Sequence, residues 1–185
     1  YAPSEADVTQ HFKSGDKERK IYTCTKLNPD ELEAISAFRA YQNQNGIVLP
    51  PMMEPRIMRY LSHTRGDVQK AAACMQDTIE WRKEFFASPI SDEDPQLRKA
   101  LEHGMLWFLG RDHGLRPVLL LRVHIAVKYA EVYTPEAMLR LIAFCMEFTS
   151  RHVWVPGKVE SQVVCIDLDK VGVMSLPMNA LKGLV

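Results

Sequence analysis

The sequence contains no long hydrophobic run, no excess of charge of one sign and no cysteine pattern. None of its apolar stretches approaches the ~20 residues that a membrane-spanning helix needs. There is also no secretory signal pattern, and a cytoplasmic location is therefore expected. The formal net charge of +0 removes the general electrostatic attraction to nucleic acid. Neither an integral membrane protein nor a nucleic-acid-binding protein is favoured.

The spacing of cysteines and histidines argues against metal sites and disulfide frameworks. The four cysteines are scattered and are expected to be free thiols in a reducing compartment. The six histidines show no metal-ligand spacing with one another or with the cysteines. Glycine-rich phosphate loops and the serine nucleophile elbow are also absent. We therefore expect no cofactor and no enzymatic activity.

The composition is that of an ordinary globular chain, with 46% hydrophobic and 25% charged residues among 185. Residues 1–27 are polar and aperiodic, and they are predicted to form a loose leader. Residues 28–103 carry repeated helix-start signals: a capping box begins at Asn28, and Asp67 and Asp94 are further N-caps. This stretch is predicted to form an N-terminal helical module.

The chain from Gly104 onward has the pattern of a βαβ unit. Two apolar runs of strand-like composition flank an amphipathic segment that is long enough for a crossover helix. A further apolar run precedes the first of these strands and is joined to it by a tight turn. In chain order the segments are Met105–Leu109, Arg116–Val123, Pro135–Val153 and Gln162–Leu168. We therefore predict an α/β fold in which a lobe of residues 104–185 follows the helical module.

Three motifs follow one another at suitable spacing. They are a helical pattern from Arg56 to Phe85, the run Gly110-Arg-Asp-His-Gly-Leu-Arg-Pro-Val118, and the run Val164-Cys-Ile-Asp-Leu-Asp-Lys-Val-Gly172. Together they resemble the CRAL-TRIO family, the lipid-binding domain of yeast-type phosphatidylinositol-transfer proteins, retinaldehyde-binding protein and tocopherol-transfer protein. The second run is similar to the family's GRD-x-x-G-RPV hairpin, and the third is similar to its IIDLKG strand end.

The resemblance implies a partial CRAL-TRIO fold, in which the sheet forms the floor of an apolar pocket for one lipid or other small hydrophobic molecule. Alternation along a strand places Leu119, Leu121 and Val123 on one face. Plain core packing is the alternative, since leucine and methionine suit both a core and an acyl chain. The ligand-binding residues that the resemblance implies are Leu119, Leu121, Val123, Met146, Gln162, Val164 and Ile166.

The family's lobe continues well beyond the strand that ends at Leu168, with further strands and a gate helix. The chain is therefore expected to be truncated after the first half of the lobe, or to form a homodimer that completes the sheet. A strand at Val164 without a further neighbour would be an exposed sheet edge. Phosphatidylcholine-binding members carry small hydroxyl residues at the positions of Gln162 and Val164, and the identity of the ligand is therefore not carried over.

The resemblance implies binding and intermembrane transfer of a phospholipid or other small hydrophobic molecule, by a cytoplasmic protein that contacts membrane surfaces transiently. The alternative is a non-transferring lipid-sensing or protein-interaction module of a larger signalling or trafficking protein. A third interpretation assigns Asp167 and Asp169 to a Mg²⁺-dependent phosphotransferase, because they follow an apolar strand. The few residues beyond them leave no room for the other groups of that chemistry, which argues against an enzyme.

Overall fold

The structure, a computed structural model, describes residues 1–171 and forms two compact units. The N-terminal unit consists of Tyr1–Ser88 and Pro156–Glu160. The sheet unit consists of Pro89–Val155 and the chain from Ser161 onward. These divisions differ from the ones predicted from the sequence, which fall after residues 27 and 103.

The N-terminal unit is built from helices and one small hairpin. Its buried apolar side chains form a core that includes Phe38, Leu61 and Met75. The helices that the sequence predicts in this stretch are confirmed. The elements in chain order are α1 (Glu5–Val8), β1 (Thr9–His11), β2 (Lys17–Arg19), α2 (Pro29–Gln44), a 3₁₀ turn (Glu54–Arg56), α3 (Ile57–His63) and α4 (Val68–Phe85).

The helix starts follow from their capping residues. The Asn28 side chain accepts a hydrogen bond from Glu31 N at 2.9 Å, and the Glu31 carboxylate accepts one from Asn28 N at 2.9 Å. At the start of α4, Asp67 accepts a hydrogen bond from Lys70 N at 3.0 Å. These bonds satisfy backbone donors that a helix cannot pair within itself. The predicted caps are therefore confirmed.

The first residues of the chain contain ordered elements, which differs from the predicted loose leader. Helix α1 begins with a capping box between Ser4 and Asp7, and β1 and β2 pair antiparallel. The buried Arg19 guanidinium anchors the hairpin: Nη1 lies 2.7 and 2.6 Å from the Glu31 oxygens, and Nη2 lies 2.7 Å from Thr25 Oγ1. A buried ion pair holds this segment, and hydrophobic periodicity does not report such an anchor.

Glu160 is a carboxylate of the N-terminal unit that is 5% exposed. Its oxygens accept hydrogen bonds from the backbone N–H groups of Tyr22 and Thr23 at 2.9 Å and of Gly157 at 3.0 Å. The Arg59 guanidinium lies 3.3 Å from Glu160 Oε2. Burial raises the pKa of Glu160, but these backbone hydrogen bonds outweigh it, and the pKa lies below its ordinary value. Glu160 therefore ties Pro156–Glu160 to the residues after β2.

The sheet unit contains three strands in the order β3-β4-β5, with β3 antiparallel and β5 parallel to the central strand β4. The connection from β4 to β5 runs through two helices and is the predicted crossover. The α/β class is therefore confirmed. The elements in chain order are α5 (Pro95–Glu102), β3 (Leu106–Arg111), β4 (Pro117–Arg122), α6 (Val123–Lys128), α7 (Pro135–Phe148), a π-helical turn (Thr149–Val153) and β5 (Val163–Asp167).

Several predicted ends in the sheet unit were wrong. Strands β4 and β5 are each shorter by one residue at both ends than the apolar runs, and Val123 begins α6 instead of ending the strand. The crossover helix is α-helical only to Phe148, after which Trp154 N donates to Thr149 O at 2.8 Å in the wider π spacing. An apolar residue suits the end of a strand and the start of a buried helix equally. Residues 172–185 of the predicted lobe lie outside the described residues.

Candidate functional site

The β3–β4 turn is stabilised by an aspartate–arginine pair. The Asp112 carboxylate accepts hydrogen bonds from Arg116 N and Arg116 Nε, both at 2.8 Å, and the N–H of Leu115 donates to Asp112 O at 2.9 Å. The hydrogen bond from the Arg116 side chain is the main reason why the pKa of Asp112 lies below its ordinary value. Asp112 therefore acts as a turn residue that fixes the register of β3 against β4.

Arg111 links this hairpin to the end of the crossover. Its Nη1 donates to Leu115 O at 2.6 Å and its Nη2 to Val153 O at 2.7 Å. Val153 is the last residue of the π-helical turn that follows α7. One guanidinium therefore helps to fix the C-terminal end of α7 relative to the sheet.

One face of β4 is packed into a core. Leu119 and Leu121 are 2% and 6% exposed, and they belong to a cluster that includes Leu141 and Cys145 of α7. Burial raises the pKa of the Cys145 thiol to about 11, which keeps it neutral. Val123 lies in the same cluster although it belongs to α6. Three of the predicted ligand-binding residues are therefore core residues in this structure.

The same face is exposed on the edge strand β5. Leu119 pairs with Val164 and Leu121 with Ile166 in the parallel ladder, which places these side chains on one side of the sheet. Val164 is 49% exposed and Ile166 is 54% exposed. Within residues 1–171, β5 has β4 as its only strand neighbour. The buried floor around β4 thus continues into exposed apolar surface at β5.

Met146 and Gln162 border this exposed surface from the side of α7. Met146 lies in the last turn of α7 and is 41% exposed. Gln162 precedes β5, and its Nε2 lies 2.9 Å from Met146 Sδ. The Gln162 Oε1 atom is buried and has no hydrogen-bond partner among the described residues. We call the surface formed by Met146, Gln162, Val164 and Ile166 the apolar ledge.

Two exposed aromatic residues, Phe108 and Phe148, were not among the ligand-binding residues predicted from the sequence. Phe108 of β3 pairs with Leu119, which places it on the same face as the apolar ledge. Its ring centroid lies 6.0 Å from that of Phe148, at the end of α7. Phe108 could have been found by pairing the two strands across the Asp112 turn, since residues opposite each other share a face. Helix α7 therefore covers the central strand and leaves apolar groups exposed on both sides.

The opposite face of the sheet differs in charge. On this face, Trp107 of β3 pairs with Leu120 of β4. Two residues further along β4, Arg122 pairs with Asp167 of β5. The Arg122 guanidinium lies 5.3 Å from the centroid of the Trp107 ring, and Nε donates to Gly104 O at 3.0 Å. Charged groups therefore interrupt this face, whereas the apolar ledge consists of uncharged side chains.

Asp167 and Asp169, the residues of the phosphotransferase interpretation, form a turn. The Asp167 carboxylate accepts a hydrogen bond from Asp169 N at 2.8 Å, which is the geometry of an aspartate that caps its own loop. Among residues 1–171, no three histidine, cysteine or acidic side chains are grouped closely enough to hold a metal ion. In the same part of the chain, no helix has both the length and the apolar character needed to cross a membrane.

The sheet unit is an α/β domain in which one face of the sheet is partly covered by α7 and partly exposed at the apolar ledge. A family model described as the CRAL/TRIO domain matches residues 101–185, which include the whole sheet. The match supports this family for the C-terminal part of the chain, in agreement with the motif-based expectation. The CRAL/TRIO domain is a lipid-binding module, and the match therefore supports binding of a hydrophobic ligand.

Proposed function

We propose that this protein binds one phospholipid or other small hydrophobic molecule on the apolar ledge and transfers it between membranes. The observation that carries the proposal is the change in burial across one sheet face, from buried Leu119 and Leu121 on β4 to half-exposed Val164 and Ile166 on β5. Solvent-exposed apolar groups that continue a core in this way mark an interaction surface. In this proposal the core beneath the site includes Leu119, Leu121 and Val123, which support the apolar ledge and do not contact the ligand.

The driving force for ligand binding is the burial of apolar surface. Each methylene group that the ligand withdraws from water contributes about 0.8 kcal/mol, so even a short acyl segment on the apolar ledge supplies several kcal/mol. Met146 suits such a ligand because its unbranched side chain adapts to different shapes. Gln162 is the polar member of the set. Its unpaired Oε1 is buried, and it can accept a hydrogen bond from a ligand hydroxyl or amide only after the side chain rotates toward the surface.

Transfer additionally requires the ligand to leave the protein at a membrane. We propose a transient contact with cytoplasmic membrane surfaces, which exchanges the lipid without a spanning segment. The outer edge of β5, which has no strand neighbour within the described chain, is the site at which a second copy would complete the sheet by strand pairing.

Charged substitutions on the apolar ledge are expected to weaken lipid binding strongly. The paired change Val164→Glu with Ile166→Glu places two carboxylates where acyl chain would lie, and burying an unpaired charge is strongly unfavourable. We expect a loss of at least about 10-fold in affinity, equivalent to about 1.4 kcal/mol. The measurement is titration with a fluorescent phospholipid. Leu32→Glu on α2 is the control for placing a carboxylate at an exposed apolar position, because Leu32 is 56% exposed but lies in the N-terminal unit.

The same variants separate transfer from simple binding. Movement of the fluorescent lipid from donor to acceptor vesicles should be accelerated by the wild-type protein and by Leu32→Glu, and not by the doubly charged variant. Lipid binding without acceleration would favour the alternative, a non-transferring lipid-sensing module. If the doubly charged variant binds lipid as tightly as the control, the apolar ledge is not the ligand site.

A further inference from the structure

The N-terminal unit contains a polar groove that lipid binding on the sheet does not use. Two adjoining cavities of about 420 and 620 Å³ lie between the β1–β2 hairpin and α3. Both are lined by Asp16, Lys17, Ser62 and Arg65. All of the lining residues belong to the N-terminal unit, and the groove is therefore formed within that unit alone.

Two cationic side chains and one histidine that have no partner among the described residues line this groove. The side chains of Lys17, His63 and Arg65 line it and make no hydrogen bond or ion pair with another residue of the described chain. Two other charged residues of the lining do have partners: Arg59 lies 3.3 Å from Glu160, and Glu18 lies 2.7 Å from Lys20. An anion can therefore bind Lys17 and Arg65 without first breaking an internal ion pair.

Both walls of the groove are held by internal hydrogen bonds. Lys17 lies in β2, the strand that Arg19 anchors through its bonds to Glu31. Arg65 lies in the turn between α3 and α4, where Thr64 Oγ1 lies 3.0 Å from Tyr60 O. Cations on an ordered frame lose less conformational entropy when they bind a ligand than cations on a loose segment do.

Two acids that line the groove, Asp16 and Asp30, form no ion pair with a basic side chain within residues 1–171. Asp16 Oδ2 accepts a hydrogen bond from Ser14 Oγ at 2.9 Å. A carboxylate beside the cations disfavours a bare phosphate ion, because like charges repel at short distance. It favours a ligand that places a hydroxyl group there, since an ionised carboxylate accepts hydrogen bonds.

We propose that this groove binds a phosphorylated polyol. The phosphate oxygens pair with Lys17 and Arg65, with His63 as a further donor, because guanidinium and ammonium groups form strong charge-assisted hydrogen bonds to phosphate. A hydroxyl group of the polyol donates to Asp16. The same chemistry occurs in a soluble sugar or inositol phosphate and in the phosphorylated head group of a membrane lipid.

The test is calorimetric titration of the full chain with myo-inositol 1-phosphate and, separately, with inorganic phosphate. We expect the inositol phosphate to bind more tightly than inorganic phosphate. The paired change Lys17→Gln with Arg65→Gln should weaken its binding by about 10-fold or more, since two charge-assisted contacts are lost. The control Lys83→Gln with Lys99→Gln removes the same charge outside the groove and should leave the affinity unchanged.

Three results would overturn the proposal: no binding of the inositol phosphate, equal binding of inorganic phosphate, or equal weakening in the groove variant and the charge-matched control. Asp16→Asn should selectively reduce the preference for the polyol over inorganic phosphate. Vesicles of phosphatidylcholine with and without a phosphorylated inositol lipid identify the source of the ligand. Binding to the phosphorylated vesicles with competition by the soluble compound indicates a lipid head group, whereas binding of the soluble compound alone indicates a free polyol phosphate.

Discussion

Shortening Leu119 to alanine is expected to destabilise the protein by about 2–5 kcal/mol, the range for removing a large aliphatic side chain from a packed core. Leu119 is 2% exposed and contributes to the cluster that joins β4 to α5 and α7. The truncation leaves a cavity that the rigid strand cannot close. Denaturant titration measures the change in the free energy of unfolding.

Ile166→Ala is the matched comparison, because Ile166 lies on the same face of the sheet but is 54% exposed. Little packing is lost there, and the expected cost is below about 1 kcal/mol. A much larger loss in the free energy of unfolding for Leu119→Ala than for Ile166→Ala means that Leu119 is packed in the core and that Ile166 is exposed to solvent. Equal costs would mean that Ile166 is covered in solution and is not open to a ligand.

Replacing Glu160 with glutamine is expected to destabilise the N-terminal unit by about 2–4 kcal/mol, from lost hydrogen bonds to a charged acceptor and newly unpaired donors. The carboxylate accepts from three backbone N–H groups, on Tyr22, Thr23 and Gly157. A glutamine side chain offers a single oxygen, and its NH₂ group would face a backbone donor. Glu80→Gln is the control, since its pair with Lys83 is exposed and such pairs contribute little.

The pH dependence of stability provides a second test of Glu160. Its pKa in the folded protein lies below the ordinary value of 4.5, and its stabilisation is therefore fully present at neutral pH. That stabilisation is lost as the pH falls from 4.5 through the lower pKa of the folded form. Denaturation curves should show the wild type approaching Glu160→Gln in stability over this acidic window. Parallel curves for the two proteins would contradict the role of the carboxylate.

The local signals in the sequence predicted the order and pairing of the three strands of the sheet unit correctly. Strand-like runs on either side of an amphipathic segment predicted parallel pairing of β4 with β5, and the Asp112 turn predicted the hairpin. The ends of β4 and α7 could not be predicted, because Val123 and Thr149 are compatible with either neighbouring structure. The order of the first residues was also hidden, since the Arg19–Glu31 pair joins groups that are distant in sequence.

The sequence predicted which side chains share the ligand-facing side of the sheet. It did not predict which of them are buried in the core and which are exposed. Alternation placed Leu119 and Leu121 together, but their burial depends on how far α7 extends over the sheet. Periodicity reports which side chains share a face and not which neighbour covers them. The same limit concealed Phe108 and Phe148, whose contact requires the register of β3 and the position of α7.

The most direct test of lipid binding by this protein is native mass spectrometry of the full chain, followed by organic extraction and mass analysis of the extract. We expect a protein mass increased by one lipid per chain, and an extract that contains a phospholipid or another hydrophobic molecule. The same spectrum reports whether one or two copies are present. A chain that carries no lipid after purification, and that acquires none when incubated with phospholipid vesicles, would contradict the proposed function.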